Sequence, residues 1–272
     1  MMPDLSLLAA VRRARPLVHC VSNIVAANDC ANLALAVGAS PIMAQAPEEM
    51  ADISAVSDAV VLNLGTPSEE KFKACLLCAQ AAARRSLPVV VDPVGAGASP
   101  WRLGWARCLL GQRSPAILHV NLGEAQALLS PPTAAAGPAQ GVDSPAPSTR
   151  EERVQAAVQL ARQYKTVALL SGPEDVATDG DAVWLARGGS AGMAAVTGTG
   201  CMLSTLCGVL AAVEKDSLRA AAQAAALWKL CAARAEKLAQ GRGPGSLHAA
   251  LFDAAALAND DALCGIWLEQ LA

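Results

Sequence analysis

Pro88-Val89-Val90-Val91-Asp92-Pro93-Val94-Gly95-Ala96-Gly97 reads as a strand that runs into a bare turn. The three valines favour extended backbone, and an unbroken apolar run suits a strand covered on both faces. Pro93 stops further pairing, while Gly95 and Gly97 leave the turn without side chains. The Asp92 carboxylate then projects from the carboxyl end of the strand, the edge at which open α/β sheets hold their ligands. An ordinary strand exit with an Asx turn gives the same local pattern, so Asp92 needs neighbours before it counts as functional. A dinucleotide fingerprint is weaker still, because the third glycine is missing and Pro100 follows too soon.

Working outward, comparable β-rich runs occur at Leu17–Val21, Ala59–Leu62, Ile117–Val120, Val167–Leu170, Val183–Leu185 and Met193–Val196. Helical patterns lie between the earlier ones, at Asp29–Val37, Pro47–Val56, Ser68–Arg85 and Arg102–Leu110. Ser68 before Glu69 and Glu70 opens a helix, and Arg84-Arg85 closes it in line with the helix dipole. Repeated β-α order predicts an α/β fold with a parallel sheet and right-handed crossovers. From Gly200 onward the pattern is helical, over Cys201–Lys215, Leu218–Ala239 and Leu247–Ala258. Ser130–Thr149, rich in Pro, Ala, Gly and Ser, reads as a surface loop, since β-α units continue after it. One domain spanning 1–272 is the expectation.

Apolar residues make up 53% of the chain and charged ones 17%, enough for a large core without disulfides. A net charge of -3 with no basic block argues against nucleic acid as a partner. No run reaches the ~20 apolar residues of a membrane span, and Met1–Arg15 lacks the apolar centre of a signal peptide. Cys20, Cys30, Cys108, Cys207, Cys231 and Cys264 sit in apolar runs as small hydrophobes, which points to a reducing, cytoplasmic setting. Cys75-Leu76-Leu77-Cys78 has metal-like spacing, but no second ligand pair accompanies it, so burial within a helix is the expected fate.

Two further segments could carry chemistry. Asn121-Leu122-Gly123-Glu124 follows the next strand, and Glu124 falls in the first turn of a helix reaching Leu129. An acidic helix start alone explains Glu124. With Asp92 on the preceding strand end, two carboxylates near one another also suit a shared Mg²⁺ and nucleotide phosphates. Thr197-Gly198-Thr199-Gly200-Cys201 opens a helix but lacks the Gly-Lys-Ser/Thr of a Walker loop. A glycine-rich helix entry chosen for tight packing gives the same pattern; in the functional reading the N–H groups of Thr199 to Cys201 stabilise the equatorial oxygens of a phosphoryl group in flight, and the helix N-terminus is expected to lower the Cys201 thiol pKa. His19 and His248 read as structural.

These motifs, in order, resemble the hydroxyethylthiazole kinase family. The opening Leu17-Val18-His19-Cys20-Val21-Ser22-Asn23, then Asn28–Asn32, Gly38–Ala44, Leu62-Asn63-Leu64-Gly65-Thr66, Asp92–Ala98, Thr197–Ser204 and Gly243–Ser246 carry the likeness across Pro16–Leu257. The resemblance implies one ribokinase-like, three-layer α/β/α domain with a mostly parallel central sheet. It implies ATP- and Mg²⁺-dependent phosphorylation of the alcohol of 4-methyl-5-(2-hydroxyethyl)thiazole in thiamin salvage, by a homotrimer with active sites at subunit interfaces. By position it implies thiazole contacts at Asn23, Met43 and Gly198, and Mg²⁺/phosphate carboxylates at Asp92 and Glu124. It further implies nucleotide contacts at His119 and Ser171, and a catalytic turn of Gly198, Thr199, Gly200 and Cys201. His119 departs from the family's usual Arg, and a mostly neutral imidazole cannot clamp phosphate as a guanidinium does. A pyridoxal- or hydroxymethylpyrimidine-type kinase, or a binding protein without catalysis, are the rival readings. Cys201 stands against the first, because many ribokinase-fold kinases carry an aspartate base there.

Overall fold

The computed structural model describes residues 6–131, 148–258 and 267–271. Most of the Ser130–Thr149 stretch, and Cys264, therefore lie outside the described residues. The chain runs α1 (Ser6–Ala14), β1 (Leu17–Val21), α2 (Ala27–Ala36), β2 (Ser40–Ile42), α3 (Met50–Val56) and β3 (Ala59–Asn63). Next come α4 (Glu69–Arg84), β4 (Val89–Asp92), α5 (Pro100–Gln112), β5 (Ile117–Val120), α6 (Leu122–Leu129), α7 (Arg150–Tyr164) and β6 (Val167–Leu170). Then follow β7 (Asp175–Thr178), β8 (Val183–Arg187), α8 (Thr199–Ala211), α9 (Ser217–Ala239), α10 (Pro244–Ala256) and β9 (Trp267–Leu271).

All nine strands form one sheet in the order β2-β1-β3-β4-β5-β6-β7-β8-β9. The pairings from β2 to β6 are parallel, and those from β6 to β9 are antiparallel. Alternate residues of each strand enter opposite layers, as the pleat requires. Val90, Ile117 and Leu169 join α1, α2 and α8–α10 on one face. Val89, Val91, Leu118 and Leu170 join α3–α7 on the other. The continuous valine runs are thus explained by burial on both sides. The parallel sheet expected from the β-α rhythm holds from β2 to β6, and the three-layer, mostly parallel architecture that the resemblance implies is present.

Differences from the expected elements have local causes. Met193–Val196 is not a strand: a 3-10 turn spans Ala191–Ala195, with the Ser190 side chain accepting from the Gly192 N–H. Gly188 and Gly189, at φ 108° and 92°, turn the chain off the sheet before this stretch. Helices α1 and α7, and strands β2, β7 and β9, were not anticipated. Strand β7 escapes an apolar search because it begins with Asp175, and β2 has only three residues. Cys75 and Cys78 are buried on α4, whereas Cys108 is exposed rather than part of the core. His19 is fully buried, with Nε2 3.0 Å from the Ala44 carbonyl and Nδ1 3.5 Å from Cys78 Sγ. Among the described residues no helix is long and apolar enough to cross a membrane.

Candidate active site

Strands β1, β3, β4 and β5 are parallel neighbours, so the residues that end them gather along one edge. Register places Asn63 opposite Asp92, and Asn63 Nδ2 donates to Asp92 Oδ2 at 2.8 Å. Asn23, two residues beyond β1, donates from Nδ2 to Asn63 Oδ1 at 3.0 Å and to Cys201 Sγ at 3.2 Å. Its Oδ1 accepts from the N–H groups of Val25 and Ala26, which fixes which end of the amide faces the site. Gly65 N–H also donates to Asn63 Oδ1, at 2.9 Å. A Cβ on Gly65 would lie 3.0 Å from that oxygen and 3.1 Å from Asn23 Nδ2, so this close approach needs glycine.

Helix α8 meets the same edge with its N-terminus. Its N-cap, Gly198, has φ 83°, and a Cβ there would stand 3.0 Å from that of Ala26. Lacking a side chain, Gly198 offers no cap, and the N–H groups of Thr199, Gly200 and Cys201 have no acceptor within the helix itself. One turn later Ser204 Oγ donates to Asp92 Oδ2 at 2.6 Å and lies 2.7 Å from His119 Nδ1. With the Ser204 proton committed to the carboxylate, Nδ1 is the His119 donor and Nε2 holds the lone pair. That Nε2 is buried and has no partner among the described residues. His119 Cε1 lies 3.9 Å from where a Gly200 Cβ would be.

Burial sets the electrostatics of this cluster. It pushes the Asp92 carboxyl up to about 6, against the Ser204 and Asn63 hydrogen bonds and the Lys71 charge that hold it down. It pushes the His119 imidazole down to about 4, so this ring is neutral at physiological pH. The Cys201 thiol is raised by burial and then by the nearby Asp92 charge. The expectation of a lowered thiol pKa is therefore wrong: desolvation outweighs the dipole, and Cys201 stays protonated.

Glu124 serves the adjoining turn. Its Oε1 accepts from the Gly95 N–H at 2.8 Å, and its Oε2 from the Asn121 N–H at 2.9 Å. Asn121 Oδ1 returns the bond to the Glu124 N–H, completing a capping box at the start of α6. Gly95 has φ 69°, so the turn after Asp92 is shaped by glycine and pinned by Glu124. Ser171, past β6, is tied to the end of β5 through its N–H to the Val120 carbonyl at 2.9 Å. Met43 follows β2, one strand beyond β1, and is half-buried against the core. The hydrogen-bonded run thus joins Asn23, Cys201, Asp92 and His119, with Glu124 beside it, while Met43 and Ser171 stand one strand away on either side.

Two members of the run, Asn63 and Ser204, go beyond the site residues that the sequence points to. Asn63 had a readable signal, because it ends its strand as Asp92 ends the next. Ser204 lies one helical turn after Gly200 and becomes meaningful only once α8 is docked beside β4. For a cation, the oxygen-only donors Asp92 and Glu124 suit hard Mg²⁺, and Asp92 is a buried carboxylate pushed up by want of compensating charge. Among the described residues no group of three His, Cys, Asp or Glu side chains could hold a metal. A cation here would be shared between one or two carboxylates and substrate phosphates, the usual manner of Mg²⁺.

A match to the hydroxyethylthiazole kinase family spans residues 8–260. The chain belongs to this family. A hydroxyethylthiazole kinase of Nitratidesulfovibrio vulgaris is 45% identical over 246 residues, 90% of this chain and 89% of that protein. The solved hydroxyethylthiazole kinase protein of Pyrococcus horikoshii superposes with a TM-score of 0.88 at 30% identity, covering 98% of each chain. A pyridoxal kinase of Staphylococcus aureus, solved with pyridoxal, gives a TM-score of 0.59 at 14% identity over 80% of this chain and 87% of its own. That more distant likeness concerns the ribokinase-like fold alone, which this family member shares.

Proposed function

We infer that the chain transfers the γ-phosphoryl group of ATP to the hydroxyl of 4-methyl-5-(2-hydroxyethyl)thiazole, as a salvage step toward thiamin. The observation that carries this reading is the run Cys201–Asn23–Asn63–Asp92 beneath the N-terminus of α8, within a chain of this family. A bond forms between the hydroxyl oxygen and phosphorus while the bond to the bridging oxygen breaks, and ADP leaves with that electron pair. Because the transition state is loose, positioning and charge stabilisation supply most of the rate, and the hydroxyl proton leaves late, to a phosphoryl oxygen. Protonated Cys201 accepts from Asn23 and is left with an S–H to orient the hydroxyl, so it acts as an orienter rather than a base. The Thr199, Gly200 and Cys201 amides, entered through Gly198, receive charge developing on the equatorial oxygens. Asp92 and Glu124 are the residues that would hold Mg²⁺, which would supply charge neutralisation for the nucleotide phosphates.

Met43 and Asn23 line the thiazole side, and Ser171 and His119 the nucleotide side. The working unit is a homotrimer with thiazole pockets between subunits. Supporting this, Ile24 and Val25, directly after Asn23, are 80% and 57% exposed, leaving apolar side chains at the rim of the site. One kinase domain covers the chain, supported by a single sheet from β2 to β9. The free thiols among the described residues fit the reducing cytoplasm. An ADP-release assay with hydroxyethylthiazole, hydroxymethylpyrimidine and pyridoxal tests the reading. Preference for thiazole is expected, and turnover of only the pyridine or pyrimidine alcohol would overturn it.

A further inference from the structure

Lys71, an ionisable group beside this cluster, violates two local rules at once. It occupies the third position of α4, where Ser68 caps the helix by accepting the Lys71 N–H at 3.1 Å. A cation there opposes the helix dipole. Its side chain is also only 6% exposed, and burial pushes the amine down to about 8. Burying a charge is costly unless it is paired. Yet among the described residues the ammonium has one hydrogen-bond acceptor, the Gly65 carbonyl at 2.5 Å, and no carboxylate within 4.0 Å. An ammonium has three N–H donors, so two are left for something else.

Its placement is fixed from the other side. Phe72, the next residue, stacks on Trp105 of α5 with ring centroids 4.5 Å apart and meets Trp101 edge-on at 5.2 Å. That packing anchors the first turn of α4 and leaves Lys71 directed back to Gly65. Gly65 in turn rests on Asn63 and Asn23, the amides that hold Asp92 and Cys201. The charges that act on the ammonium are those of Asp92 on β4 and Arg102 on α5, because burial keeps the Cys75 thiol on its own helix and the Cys201 thiol on α8 protonated. Through Gly65 it adjoins the two amides that hold the carboxylate facing a metal-bound nucleotide and the thiol facing the alcohol. A thiazole alcohol is neutral, and the anion that passes between those two groups is the phosphoryl itself.

We propose that Lys71 is a catalytic residue of this chain, its ammonium meeting the transferred phosphoryl group. The assignment rests on the kinase reading above. In the resting enzyme the Gly65 carbonyl holds the side chain, and the compact, mobile ammonium turns its remaining N–H groups to the equatorial oxygens as charge develops there.

The test compares wild type with Lys71→Met, Lys71→Gln and Lys71→Arg in turnover, in thiazole and ADP binding, and in inhibition by ADP with aluminium fluoride and Mg²⁺, a mimic of the planar phosphoryl. Lys71→Gln can still donate to the Gly65 carbonyl but carries no charge. Loss of one charge-stabilising donor is expected to lower kcat roughly 100-fold in the Met and Gln variants. Affinity for the fluoride complex should fall by a similar factor, while thiazole and ADP affinities stay within about twofold and Arg restores part of the rate. Normal turnover in Lys71→Gln would overturn the proposal and reduce Lys71 to a strut under Gly65. So would a loss shared equally by thiazole, ADP and the fluoride complex. Absence of thiazole turnover in the wild type would instead sink the kinase reading, and this assignment with it.

Discussion

Asn63 lies opposite Asp92 in the sheet and donates to its carboxylate at 2.8 Å, yet the carboxyl is still pushed up to about 6. Two neutral donors, Asn63 and Ser204, do not replace the water that burial removes. The site is thus built with an unfavourable negative charge in the ligand-free protein. Such a charge is useful only when a cation arrives.

The sign of the pH effect follows. The native Asp92 pKa, about 6, exceeds its ordinary value of 3.8, so between those pH values the folded state binds more protons. Stability from this group is present at about pH 4 and is lost as pH rises through about 6. Asp92→Asn should therefore raise the Tm of the Mg²⁺-free protein at pH 7, lose that advantage near pH 4, and abolish turnover. Thermal melts of both proteins across this range decide it. A wild type that is at least as stable as the variant at pH 7 would show the charge to be compensated.

Cys201 and Cys108 should separate under alkylation. The Cys201 thiol is raised by burial, whereas Cys108 is exposed. Only thiolate reacts at an appreciable rate. Iodoacetamide near neutral pH should therefore modify Cys108 first, with activity retained, as read by peptide mass spectrometry alongside the rate. Cys201→Ala should lose roughly tenfold in kcat, about 1.4 kcal/mol of orientation, with the ATP KM little changed. A loss of several thousandfold would make the thiol more than an orienter.

His119→Arg is expected to tighten ATP roughly fivefold, about 1 kcal/mol for a charge-assisted contact. The imidazole is neutral, and its Nε2 is without a partner among the described residues beside the Gly200 turn. A permanent cation there would face the phosphates. Steady-state KM for ATP at fixed thiazole reads the effect, and weaker ATP binding would mean that the nucleotide phosphates lie elsewhere.

Gly198→Ala meets two obstacles, a backbone at φ 83° and a Cβ 3.0 Å from that of Ala26. Left-handed backbone costs a residue with a Cβ about 1–2 kcal/mol. Denaturant melts should show at least that loss, with kcat falling as the α8 amides shift. Adding Ala26→Gly should recover the contact part and leave the backbone part. Full recovery would show that the φ value matters little.

Much of this was legible in the chain before the fold was seen. The valine run ending in Asp92, and the glycine entry to α8, announce themselves locally, because strand burial and turn chemistry leave marks within a few residues. The partners of Asp92 do not. Ser204 is 112 positions away and its meaning depends on where α8 docks. Glu124 looked like a metal carboxylate from its place after a strand; its capping box with Asn121 is local, but its grip on Gly95 appears only when two loops meet. Cys201 misled because the dipole is readable from sequence and burial is not. Met193–Val196 misled because its apolar residues suit a strand that the preceding glycines prevent from pairing.

Strand β9 has a bearing on how the chain folds during synthesis. It pairs with β8 along Arg187↔Trp267 to Val183↔Leu271, and Trp267 comes 80 positions after Arg187. At ~5–20 residues per second the ribosome needs on the order of 4–16 s to supply it after β8 has emerged. Throughout that interval one edge of β8 presents unpaired N–H and C=O groups, a template for strands from other nascent chains. Slow decoding of the α9–α10 region should then raise the yield of aggregates, and a chaperone that shields open strand edges should lower it.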